Sequence, residues 1–150
     1  MSDRHGAMTA RMKAGVPILP CSDLAAMTAF YVELLGFERQ WAWQDPERPD
    51  RPPTDGGVAC GDVQIFFMTD ADLAARSAGR ELMIFTEDVD AQFLDHVARG
   101  APIVGEPVDE PWELREYTII DPHGNRLRFA EGLEYVRARA TRLEEGDGSG

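Results

Sequence analysis

Val16-Pro17-Ile18-Leu19-Pro20-Cys21-Ser22-Asp23, a helical stretch and then Leu35-Gly36-Phe37 are matched later in the chain by Leu82-Met83-Ile84-Phe85-Thr86-Glu87-Asp88, a second helical stretch and Arg99-Gly100-Ala101-Pro102. Each aspartate stands where a side-chain oxygen can cap the first helical turn, and each glycine supplies a left-handed stop. A short apolar strand leads into each helix and further strands follow, so the chain reads as one βαβββ unit written twice. Two half-open units must close on something. The cleft between the copies is the first place to look for function.

In the first copy Leu24, Met27, Phe30 or Tyr31, and Leu34 recur at helical spacing. Residues 37–44 alternate, which predicts Phe37, Arg39, Trp41 and Trp43 on one side of a strand. Residues 45–57 are crowded with proline, glycine and charge and predict a long mobile loop that does not pack. Residues 57–60 and 62–68 form a hairpin pattern about Gly61-Asp62, and residues 71–75 a short helix. In the second copy the helix after Asp88 turns Val89, Phe93 and Val97 inward and leaves His96 on its exposed side. Strands are expected at 103–104, 114–120 and 126–129, the last two joined by Asp121-Pro122-His123-Gly124-Asn125. Helical periodicity resumes as far as about Leu143, and 144–150 reads as a disordered end. Pro17 and Pro20 limit the ladder of the opening strand, which suits an edge strand or one that pairs outside its own subunit.

With 150 residues, 43% of them hydrophobic, the composition fits a single α+β domain. The expected organisation is a flexible segment over 1–14, the folded domain over 15–130, and a helix with a disordered tail over 131–150. No run reaches the roughly 18 apolar residues a spanning helix needs, and no hydrophobic leader follows the basic head, so a cytoplasmic protein without a membrane partner is expected. Cys21 and Cys60 are too few for a disulfide framework; placed on opposite copies, they read as buried small hydrophobes in a reducing compartment. The net charge is −12, and residues 16–130 carry 21 acids against nine bases, so the acidity belongs to the folded body. Such a field repels nucleic acid and favours small cations or basic partners, although acidity that only confers solubility is the plainer alternative.

His5 lies in the head, His96 on a helix and His123 in a turn, with no spacing suited to a shared metal, and neither cysteine has a CxxC partner. No GxSxG and no glycine-rich phosphate loop is present. What remains near the expected cleft is aromatic and acidic: Trp41, Trp43, Phe66 and Trp112, with Glu81, Glu106, Asp109, Glu110, Glu113 and Glu116. Indoles beside carboxylates suit a planar cation, held by stacking and charge. The alternatives stay open: Trp41 and Trp43 as core, and 106–116 as a solvated loop. Trp112 follows Glu110-Pro111 in a loop that offers its ring no face to bury it.

The opening Val16-Pro17-Ile18-Leu19, Phe30-Tyr31, Leu35-Gly36-Phe37, Pro111-Trp112, Arg115-Glu116-Tyr117 and Asp121-Pro122-His123-Gly124-Asn125 followed by Phe129 together resemble the glyoxalase/bleomycin resistance/dioxygenase superfamily, the vicinal oxygen chelate fold. Within it the chain is most similar to bleomycin resistance proteins. The resemblance implies two βαβββ modules forming one cleft, in a dimer whose first strand can be exchanged about a proline, here Pro17. The superfamily's four metal positions fall on Val16, near Phe66, near Glu81 and on Arg128, with Gln64 gained if the register slips. That set does not suit a divalent ion, so no metal and no cofactor is expected. By resemblance the ligand-binding set is Trp112, Trp41, Trp43, Phe66, Glu81, Glu113 and Arg128, with no catalytic residue. The implied function is sequestration of a cationic antibiotic of the bleomycin type by a homodimer. The alternatives are a metal-dependent lyase, isomerase or dioxygenase of the same superfamily, and a small-molecule or interaction domain with no resistance role.

Overall fold

The computed structural model describes residues 10–147. Residues 1–9 and 148–150, which hold His5, most of the expected flexible head and part of the expected disordered end, lie outside the described residues. The first unit runs β1 (Ile18–Cys21), α1 (Leu24–Ala29, continued by a π-helical turn over Phe30–Leu34), β2 (Glu38–Trp43), β3 (Asp55–Cys60) and β4 (Val63–Thr69). A short α2 (Ala71–Arg76) leads to β5 (Glu81–Phe85), α3 (Val89–Arg99), β6 (Ile103–Asp109), β7 (Leu114–Ile120) and β8 (Arg126–Gly132), and α4 (Leu133–Asp147) follows. The sheets are ordered β1-β4-β3-β2 and β5-β8-β7-β6. β1 runs parallel to β4 and β5 parallel to β8, the other neighbours being antiparallel. This is the duplicated βαβββ pattern, with β1 at a sheet edge where Pro20 is tolerated.

Local chemistry explains the repetition. Asp23 Oδ1 accepts from the Ala26 N–H and Asp88 Oδ1 from the Ala91 N–H, each at 3.1 Å. Gly36 and Gly100 close the helices at φ 84° and 79°, a region costly for residues with a Cβ. One face of each sheet packs on its helix, joining Leu19, Val58, Ile65 and Phe67 of the first unit with Ile84, Tyr117, Ile119, Leu127 and Phe129 of the second in one core.

The units are fastened to each other by hydrogen bonds. The π-helical turn buries Tyr31, whose hydroxyl donates to Asp121 Oδ2 at 2.7 Å. Asp121 also accepts from the His123 and Asn125 backbone N–H groups and the Asn125 side-chain amide. The Ser22 N–H donates to His123 Nε2 at 3.2 Å. The Asp-Pro-His-Gly-Asn turn is therefore a lock between the copies. A second tie comes from α3: His96 Nε2 lies 3.1 Å from the Leu35 carbonyl, which can only accept, so Nε2 carries the proton and Nδ1 accepts from the Tyr117 hydroxyl at 2.7 Å.

His96 is therefore fully buried, not on the exposed side of α3, while Val97 is half exposed. The helix is rotated from the expectation because its inward stripe runs 89, 93, 96 instead of 89, 93, 97, and a histidine whose two ring nitrogens are both satisfied, by Leu35 and Tyr117, is tolerated inside. In β2 a register shift between Arg39 and Trp41 breaks the alternation. Arg39 pairs with helix-facing Val58, whereas Trp41 and Trp43 pair with Gly57 and Asp55 on the opposite face, so the four residues expected on one side are split between two. The 45–57 stretch is not loose throughout. Its last three residues belong to β3, and Gln44 Nε2 donates to the Pro49 and Arg51 carbonyls at 2.8 and 2.7 Å, tying together two successive turns.

β6 extends through Asp109, past the breakers Gly105 and Pro107, so Glu106 and Asp109 belong to a strand and not to a solvated loop. α4 continues to Asp147 instead of stopping near Leu143. Cys21 is buried, but Cys60 is exposed, and both lie in the first unit.

Candidate functional site

Cross-strand partners share a face, so the registers decide which side chains line the sheet surfaces turned away from the helices. In the first sheet this outer face carries Ile18, Phe66, Trp41 and Trp43. Trp41 and Phe66 meet edge to face with centroids 5.0 Å apart. Beneath them is Gly57, where a Cβ would collide with the Trp41 indole and come within 2.8 Å of Phe66. The glycine thus lets the indole lie on the backbone. Trp41 stays 39% exposed and Trp43 50%, so neither is core, despite the alternative reading of both.

The outer face of the second sheet is built differently. Trp112 sits at the tip of the β6–β7 hairpin, closed by hydrogen bonds from Glu110 N–H to the Leu114 carbonyl and from Glu113 N–H to the Glu110 carbonyl. Glu113 occupies φ 65°, a strained value for a side-chain-bearing residue. The Trp112 indole N–H donates to Glu116 Oε2 at 3.1 Å, and Glu116 Oε1 accepts from Arg128 Nε and Nη2 at 3.0 and 2.6 Å. The Arg128 guanidinium lies 5.9 Å from the Trp112 ring centre, within cation–π range. The result is an indole fixed in orientation, backed by a neutral Glu–Arg pair, and still 53% exposed. Glu116 is one of the acids the sequence places near the cleft, but the resemblance does not put it in the binding set. Its place one strand residue before buried Tyr117, on the same face as Arg128, is the signal that could have included it.

The other two candidate acids are already partnered. Glu81 lies 3.5 Å from Arg126, and Glu113 lies 3.4 Å from Arg137, both pairs being largely exposed. Their attraction for a ligand cation is correspondingly reduced, and exposed pairs of this kind contribute at most about 1 kcal/mol to stability. Of the four metal positions, Val16 and Phe66 offer no donor, Glu81 faces a guanidinium, and Arg128 is a cation. Among the described residues no group of three or more His, Cys, Asp and Glu side chains is placed to hold a metal. These residues do not fit a divalent ion.

The structure brings Trp41 to Phe66, and Trp112 to Arg128, but records no contact between the two sets. A groove between the copies does exist, a cavity of about 820 Å³ with Phe37, Ile84 and Phe129 in its lining and Asp62, Glu87 and Asp95 around it. None of the sequence-derived binding residues lines it, so the expected cleft and the expected residues are in different places. Trp41 lines a separate cavity of about 800 Å³ beside α1. Pro17 precedes β1 and accepts through its carbonyl from the Phe66 N–H at 3.0 Å, and β1 pairs with β4 of its own chain.

Burial sets the titration of the groups behind these faces. It pushes the Tyr31 hydroxyl well above its ordinary value, with Asp121 adding to the shift, and it pushes Tyr117 up as well. It pushes His96 down, against a smaller upward pull from the Leu35 carbonyl.

Comparison with known proteins places this geometry. Residues 13–129 match the model of the Glyoxalase/Bleomycin resistance protein/Dioxygenase superfamily. No curated protein matches the chain. Among solved structures, TioX from Micromonospora sp. ML1 is similar at 21% identity and a TM-score of 0.67, covering 81% of this chain and 100% of that one. The bleomycin-binding protein from bleomycin-producing Streptomyces verticillus, complexed with copper(II)-bleomycin, is 22% identical with a TM-score of 0.66 over 83% of this chain and 99% of its own. A glyoxalase-related enzyme from Clostridium phytofermentans is 19% identical with a TM-score of 0.66 over 82% and 97%. Likenesses at this identity fix the fold and leave the ligand open. With its two βαβββ units and a family match spanning most of its length, the chain belongs to the glyoxalase/bleomycin resistance protein/dioxygenase superfamily.

Proposed function

We propose that this protein is a cytoplasmic, metal-free homodimer that sequesters a flat cationic antibiotic of the bleomycin type and protects the cell without altering the drug. The observation that carries the reading is Trp112, an oriented and half-exposed indole on a face where the superfamily's metal positions hold an arginine and a partnered glutamate. A fixed ring loses little freedom on binding, which favours stacking over an unfixed one. The likeness to a bleomycin-binding protein supports the same reading at the level of fold.

The division of the rings supports a dimer. Trp41, Trp43 and Phe66 lie on one sheet and Trp112 on the other, with no contact between them within a chain. A second copy that sets its second sheet against the first sheet of its partner completes a cleft walled by both sets, and Pro17 is the hinge if β1 is exchanged. Exposed Ile18, Phe85, Val104 and Val108 give those outer faces the apolar surface an interface needs.

Titration of the full chain with metal-free and copper-loaded bleomycin, followed by tryptophan fluorescence and calorimetry, tests the reading. Saturable binding that depends on Trp112 supports it. Binding that ignores Trp112 but weakens in Asp62→Asn and Glu87→Gln would move the ligand to the groove between the copies. A stoichiometric divalent ion retained after dialysis would favour the enzyme alternative.

A further inference from the structure

The cavity of about 800 Å³ beside α1 lies along the helix-facing side of the first sheet and reaches round the edge strand β2 to Trp41, while Trp43 and Phe66 of the outer face do not line it. Its origin is a shortage of side-chain volume. Ala42 and Gly56 pair across β2 and β3 opposite Leu24, where a Cβ on Gly56 would lie 3.6 Å from the leucine. Pro52 and Pro53 form another wall, at the end of the segment that Gln44 ties together. The space is in the range of small-molecule sites, roughly 300 to 1,000 Å³.

Its charge runs against the rest of the molecule. Among the described residues eight arginines are ion-paired, but Arg39 and Arg51, both lining this cavity, have no side-chain hydrogen bond or ion pair. Arg11, Arg80 and Arg142 are also unpaired among the described residues, but none of them lines either cavity, whereas Arg39 and Arg51 stand beside one apolar hollow in a chain with 27 acids. The acid in the lining, Asp23, already accepts from the Ala26 N–H as the α1 cap. The geometry points to a second ligand site that takes an organic anion, a carboxylate on a flat apolar body. The carboxylate pairs with Arg39 and Arg51 through the forked geometry that guanidinium and carboxylate share, and the body lies among Leu24, Ala42 and the two prolines. The site borders the face proposed above for the cationic ligand, since Trp41 lines both, but it takes the opposite charge.

The probe is 2-naphthoate, with uncharged 2-naphthamide as control, titrated into the full-length protein and read by amide chemical-shift mapping. The expected result is saturable binding of naphthoate with shifts centred on Leu24, Arg39, Ala42 and Gly56. Binding should be weakened roughly tenfold or more in the Arg39→Gln/Arg51→Gln variant, blocked in Ala42→Leu and unchanged in Trp112→Ala. Naphthamide should bind more weakly and alike in wild type and the arginine variant. Failure of naphthoate to bind, shifts centred on Trp112 or on the groove between the copies, or equal affinity in the arginine variant would each overturn the proposal.

Discussion

The two copies share strand order, helix caps and glycine stops, yet their outer faces have little in common. The first copy lays Trp41 on Gly57 against Phe66 with no charged partner, and its β2–β3 connection is long and proline-rich. The second closes β6 to β7 in a tight hairpin and holds Trp112 by a glutamate and an arginine. The groups that make the fold face the helices and are repeated. The groups free to change lie on the other side of the same strands, where strand alternation separates them from the core. Duplication thus supplies two equivalent platforms that carry unlike aromatic faces.

The largest effect should come from the lock between the copies. Asp121→Ala removes the acceptor for the Tyr31 hydroxyl, the Asn125 amide and two backbone N–H groups, and is expected to cost about 2–4 kcal/mol in urea unfolding. Tyr31→Phe should cost less, because the carboxylate keeps its other donors. If Asp121→Ala is neutral, the copies are held by packing and by the His96–Leu35 tie, not by this turn.

Next is the difference between the two aromatic walls. Trp112→Ala should weaken bleomycin binding by about 1–3 kcal/mol, as expected for a central stacking ring. Glu116→Gln should weaken it less while leaving the fold intact, because the ring stays but its anchor to Arg128 loosens. Equal losses from Trp43→Ala and Trp112→Ala would mean that the orientation imposed by Glu116 contributes nothing.

A pH dependence separates the helices. His96 of α3 is buried with a lowered pKa, whereas α1 carries no titrating group at the equivalent join, its Tyr31 being raised far from neutrality. An unfolded histidine titrates near 6.5, so below that value the unfolded chain binds more protons than the folded one. Stability is then full above about pH 6.5, falls as pH drops through it, and levels off below the folded pKa. Urea midpoints measured across this range should show that slope in wild type and lose it in His96→Gln. The smallest effect is expected at Glu113, where glycine relieves the left-handed backbone and should add about 1 kcal/mol of stability.

What the sequence disclosed were features set by neighbouring residues: two aspartate caps, two glycine stops, the Gly61-Asp62 hairpin and the short helix after Asp70. What it concealed depended on one irregular residue or on distant partners. The extra residue near Gln40 turns Trp41 and Trp43 away from Phe37, and no propensity marks a bulge. His96 looked like a polar surface residue because Leu35 and Tyr117, which satisfy it, are remote in sequence. The aromatic candidates were legible as residue types, but not their division between two faces that do not meet in one chain. Asp121-Pro122-His123-Gly124-Asn125, used as a mark of family, proved to be the fastening between the copies.

The central claim is that an oriented indole on the second copy, working with the rings of the first, grips a flat cation without a metal. Calorimetric titration of metal-free bleomycin into dialysed full-length protein and its Trp112→Ala variant tests it most directly. The account predicts saturable binding by the metal-depleted wild type and a marked loss in the variant; no binding, or binding that requires an added divalent ion, would contradict it.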